Sequence, residues 1–83
     1  MDYYLITFSN THAAIAVQKH LEGKLSFQVM PTLREITSSC GISLKISASP
    51  YDKINDNMRQ FPLGEDMYKI YFVSTDGIHE MSS

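Results

Sequence analysis

The chain has 83 residues, of which 43% are hydrophobic and 19% charged, with a formal net charge of −2. This is the composition of one small soluble domain, too apolar for disorder, and a domain of this size buries only about 60% of its unfolded surface. Its stability is therefore marginal, and a partner or a second copy would add to it. The seven basic and nine acidic residues are spread along the chain without a basic cluster, which argues against a phosphate-binding surface and against nucleic acid. There is no run of about 18 apolar residues to span a membrane. Met1-Asp2-Tyr3-Tyr4 lacks the features of a signal peptide. The single cysteine cannot form an internal disulfide, and the expected compartment is the cytoplasm, where a free thiol stays reduced.

In chain order, Tyr3 to Phe8 is aromatic and branched, which predicts a strand. Ser9, Asn10 and Thr11 are each able to cap a helix that follows. Ala13, Ala14, Ala16, Val17 and Leu21 fall on one side of that helix, with Gln18, Lys19 and Glu22 on the other, and Gly23 ends it. Phe27 to Met30 predicts a short second strand stopped by Pro31. Ile42, Leu44 and Ile46 alternate with Ser43, Lys45 and Ser47, the pattern of a half-buried strand. Ser49-Pro50 opens a second helix, whose buried stripe is Tyr51, Ile54, Met58 and Phe61. Pro62 and Gly64 break it, and Met67 to Val73 predicts a fourth strand. Residues 74–83 lack periodicity and are expected to be a flexible tail.

The expected architecture is α+β, a ferredoxin-like βαββαβ domain over residues 1–73. Right-handed crossovers place both helices on one face of a four-stranded antiparallel sheet. Alternation turns Tyr4, Ile6, Phe8, Phe27, Val29, Ile42, Leu44, Ile46, Ile70 and Phe72 toward the helices. It leaves Tyr3, Leu5, Thr7, Met30, Ser43, Lys45, Tyr71 and Val73 on an open face. That face is half apolar, so it is expected to pack against a second copy or a partner through Tyr3, Leu5 and Tyr71.

Eleven residues separate Met30 from Ile42, where a minimal hairpin needs about two to five. Loops longer than their topology requires tend to carry function. This one holds Cys40, followed by Gly41. Thr32 and Glu35 have the spacing of a capping box, which predicts a short helical turn pinned by Leu33 and Ile36 and ended by Gly41. A thiol at the end of such a turn is held protonated by the dipole. Arg34, the hydroxyls of Ser38 and Ser39, and the Gly41 N–H are the groups able to favour a thiolate, and Gly41 leaves room for a reactant at the sulfur. The competing reading is that Cys40 is a small buried hydrophobe at the start of a strand.

The string Pro31, Arg34-Glu35-Ile36, Thr37-Ser38-Ser39, Cys40-Gly41-Ile42 resembles the selenium/sulfur carrier protein-like family, a group of small bacterial proteins. So does the preceding run, in which Phe8-Ser9-Asn10-Thr11-His12-Ala13-Ala14 joins a hydrophobic strand to an alanine-rich helix. The resemblance covers roughly residues 3 to 73. Leu33 stands where the family pattern has a second proline, and Thr37 where it has serine. The resemblance implies a carrier that holds sulfur or selenium on Cys40 as a persulfide or selenosulfide, with Arg34 and the backbone near Gly41 in support. Its partners would be donor and acceptor proteins, and it would need no cofactor. Whether such a carrier counts as an enzyme depends on those partners.

Among other residues, His12, His20 and His79 have no spacing that suggests a metal site, and the expectation for His20 is a solvated or satisfied side chain at the helix edge. No Ser/His/Asp set and no glycine-rich phosphate loop is present. The alternative function is a small regulatory or ligand-binding module that dimerises through the open sheet face, with Cys40 structural. Single-stranded RNA binding is disfavoured, because Ser43, Lys45 and Ser47 put no aromatic on the open face of the third strand.

Overall fold

The aromatic and branched run Tyr3–Phe8 forms strand β1, whose side chains from Leu5 to Phe8 are all buried, on both faces, in the interior of a sheet rather than at an edge. The computed structural model describes residues 2–33, 36, 41–60, 64 and 67–81. Helix α1 spans Thr11–Leu21. Of the three possible caps, Asn10 is the one used: its backbone is extended and its Oδ1 accepts from the Ala13 N–H at 2.8 Å, which satisfies one of the free donors at the helix start. At the other end the Glu22 N–H still reaches Gln18 O at 3.1 Å, and the chain then turns at Gly23 with φ +79°, a conformation that favours glycine.

Strands β2 (Gln28–Pro31) and β3 (Ile42–Ile46) pair antiparallel. Helix α2 runs Tyr51–Gln60 and buries Ile54 and Met58. Strand β4 covers Tyr68–Ser74 and strand β5 covers Gly77–Glu80. The sheet order is β2-β3-β1-β4-β5 with every neighbouring pair antiparallel. β1 and β2 therefore run parallel with β3 between them, and β3 and β4 run parallel with β1 between them. The fold is α+β, two helices and a five-stranded antiparallel sheet.

The expected four-stranded ferredoxin-like sheet is thus corrected to five strands. The additional strand lies within the segment expected to be a tail. Ser74 pairs with Gly77 across a connection of Thr75 and Asp76, and Gly77 takes φ +141°. The Asp76 N–H also reaches the Ser74 hydroxyl at 3.3 Å. Gly77 follows the two-residue connection with a φ that favours glycine, and β5 lacks periodicity because an edge strand of four residues buries little. Beyond it, the Met81 N–H donates to Ile70 O at 2.7 Å and the Tyr51 hydroxyl to Met81 O at 3.2 Å.

The core lies between the sheet and the helices. Ile6, Phe8, Leu44, Ile46, Tyr68 and Ile70 from the strands meet Ala13, Ala14, Val17 and Leu21 from α1 and Ile54 and Met58 from α2. Tyr4, Phe27, Ile42 and Tyr51 pack against this cluster, with the Tyr4 ring 5.1 Å from Phe72 and 6.0 Å from Tyr51. Val29, expected to face the helices, is 55% exposed. It sits on edge strand β2, beyond the cover that α1 gives to its cross-strand partner Leu44. The two helices are tied together by His20, whose Nε2 donates to Asn57 O at 3.0 Å, leaving Nδ1 to accept from Lys24 at 3.4 Å.

The sheet face away from the helices departs furthest from expectation. Leu5, Thr7 and Ser43 share that face, yet they are 0%, 4% and 0% exposed within a single chain. Interior strands β1 and β3 carry all three. Leu5 stands between Lys45 and Tyr71, and Thr7 between Ser43 and Lys69. Leu5, expected at an interface, is thus fully buried within one chain. Tyr3 and Tyr71 remain half-buried.

Candidate functional site

The candidate chemistry lies in the β2–β3 connection, whose two ends are held by strand pairing. The ladder ends at Pro31 opposite Ile42. One residue further, the Thr32 N–H donates to Gly41 O at 3.1 Å, and the hydroxyls of Thr32 and Ser43 lie 2.8 Å apart. Residues alternate along a strand, so Thr32 shares its face with Met30, which is opposite Ser43. The connection therefore leaves β2 on the face away from the helices.

The Ile36 N–H donates to Leu33 O at 3.0 Å, closing a turn early in the connection. Ile36 is buried and Leu33 half-buried, but neither belongs to the helix-side core to which they were expected to pin the turn. Among the described residues, Leu5 and Ile36 are the buried apolar side chains outside that core. Leu5 is on the face where Thr32 meets Ser43, and these contacts bring the start of the connection onto that face.

Of the residues expected to carry chemistry, Gly41 is exposed, and a Cβ built on it would meet nothing within 4 Å. Cys40, Arg34, Ser38 and Ser39 lie outside the described residues, as does Glu35, the second half of the expected capping box. Thr32 and Ser43 were not candidates from sequence. Finding them requires the β2–β3 register, which alternation within one strand does not supply.

Among the described residues, no three His, Cys, Asp or Glu side chains come together in a way that could hold a metal ion. No helix among them is long and apolar enough to cross a membrane.

Comparison with known protein families matches residues 3–69 to the family described as putative Se/S carrier protein-like. That match includes both strands flanking the connection and the whole of Arg34–Gly41. No curated protein and no solved structure matches the chain.

Proposed function

Because the chain belongs to the putative Se/S carrier protein-like family, we propose that it carries sulfur or selenium on Cys40. The observation that carries this reading is the span of the family match, which takes in the only cysteine of the sequence together with Arg34, Ser38, Ser39 and Gly41. The exposure of Gly41, the residue that follows the cysteine, supports it. So does the closure of the connection by Thr32 and Gly41, which ties the residue after Cys40 to the sheet.

The Cys40 thiolate attacks the outer sulfur of a donor persulfide, R–S–SH. The donor's S–S bond breaks, R–S⁻ leaves, and Cys40 becomes Cys–S–SH with the proton still on the outer sulfur. A thiolate on the acceptor then attacks that outer sulfur and releases the Cys40 thiolate. One cysteine suffices, because donor and acceptor supply the other sulfurs, and no net oxidation occurs. Arg34 lowers the energy of the thiolate by its charge, and the Gly41 N–H and the serine hydroxyls donate to it.

The test is intact-mass spectrometry after incubation with a low-molecular-weight persulfide. The expected result is a gain of one sulfur atom, lost on addition of a thiol acceptor and absent in Cys40→Ser. A protein that gains no sulfur from any persulfide donor, while its thiol still alkylates, refutes the proposal. The alkylation rate of Cys40 against pH then reports its accessibility and ionisation together.

A further inference from the structure

A polar cavity lies at the other end of the β2–β3 ribbon from Gly41. It is open to solvent, has a volume of about 150 Å³ and is lined by Ser26, Phe27, Gln28, Lys45, Ser47 and Ala48, of which Ser26, Gln28, Ser47 and Ala48 are exposed. At roughly 30 Å³ per water molecule, this is room for a few waters or for one tetrahedral anion. Strand pairing assembles it. Gln28 is directly opposite Lys45, and Ser47 follows two residues on from Lys45, on the same face. Ser26 closes the group from the segment that enters β2.

The chemistry of the lining is one-sided. Lys45 contributes a cation, Ser26 and Ser47 contribute hydroxyls, and Gln28 contributes an amide, while no lining residue is acidic. Among the described residues, none of these four side chains hydrogen-bonds or ion-pairs with another protein group. Lys45 is half-buried, and its Nζ is 4.7 Å from the centroid of the Tyr3 ring. A cation over an aromatic face is held in place without giving up its N–H donors to an acceptor. Lys45 thus lines the cavity while its ammonium rests on a neighbouring ring that is not part of the lining.

We propose that Ser26, Gln28, Lys45 and Ser47 form a binding site for a small tetrahedral oxyanion of the phosphate or sulfate class. One ammonium with neutral donors and no competing carboxylate is a set that binds a single small anion by charge-assisted hydrogen bonds, and it needs no basic cluster, whose absence from the sequence argues against an extended phosphate-binding surface. A flat carboxylate would leave part of the four-donor arrangement unused. The site does not depend on Cys40. Lys45 lies four residues along the strand from Gly41, about 13 Å at roughly 3.3 Å per residue.

The experiment is a titration of the ¹⁵N-labelled full chain with sodium phosphate, sodium sulfate and sodium acetate in parallel, at ionic strength matched with sodium chloride. Phosphate, sulfate or both are expected to shift the amides of residues 26–28 and 45–48 to saturation, with Kd on the order of millimolar. Saturation by phosphate alone or sulfate alone identifies which anion the site prefers. Lys45→Met keeps the side-chain stem and is expected to weaken binding about tenfold. Ser47→Ala, at an exposed position, gives a smaller loss in a protein whose fold is untouched. Cys40→Ser is expected to bind as the wild type does, so failure of the carrier reading leaves this one standing. Shifts that rise linearly without saturation, tighter binding of acetate, or binding indifferent to both Lys45→Met and Ser47→Ala would each overturn the proposal.

Discussion

Leu5→Ala measures whether the sheet face away from the helices is closed within one chain. Leu5 is fully buried there, although alternation puts it opposite the helices. Truncating a fully buried leucine costs about 2–5 kcal/mol, through lost transfer energy and the cavity left behind. A value near 2.5 kcal/mol is expected, because the cross-strand neighbours Lys45 and Tyr71 are long side chains able to relax into part of the space. At about 0.05–0.15 kcal/mol per residue, a chain of this length holds roughly 4–12 kcal/mol in total, so the substitution removes a large share. With about 4–8 °C per kcal/mol for a domain of this size, Tm should fall by roughly 10–20 °C in circular dichroism melts. Tyr3→Ala, at a half-buried position on the same face, should fall by less than half as much. Light scattering of both variants, run beside the melts, separates folding from assembly. The reasoning fails if Leu5→Ala melts within about 3 °C of wild type. It also fails if Leu5→Ala turns a wild-type dimer into an equally stable monomer, since Leu5 would then be an interface residue.

Two further predictions concern the helices that hold the sheet in place. Asn10→Ala removes the side chain that accepts from Ala13 and should cost about 1 kcal/mol in urea unfolding, with Asn10→Asp restoring most of it; equal stability of the two variants would show that the cap contributes nothing. His20→Ala removes the link from α1 to Asn57 O on α2 and should lower the urea midpoint by about 1 kcal/mol equivalent. Lys24→Ala, which loses only an exposed 3.4 Å contact, should leave the midpoint nearly unchanged, and a larger effect from Lys24 than from His20 would reverse this assignment.

Local pattern determined a good deal of this protein. The run Tyr3–Phe8, the alternation of Ile42, Leu44 and Ile46, and the stripe of Ile54 and Met58 each became the element they indicate, because period and side-chain shape act over a few residues. The family was also legible, from the Arg34-Glu35-Ile36 and Cys40-Gly41 string, and the match over residues 3–69 bears it out. Tertiary structure decided what alternation leaves open. A period of two sorts residues onto two faces, but it does not say which face is covered or which strand lies at an edge. That is why Val29 is exposed on β2 while Leu5, Thr7 and Ser43 are buried on β1 and β3. It is also why β5 was missed, since a short edge strand needs its partner more than its own pattern. The cavity at Ser26, Gln28, Lys45 and Ser47 belongs to the same class. Its residues come from two segments nearly twenty positions apart, and only the pairing of Gln28 with Lys45 brings their donors together.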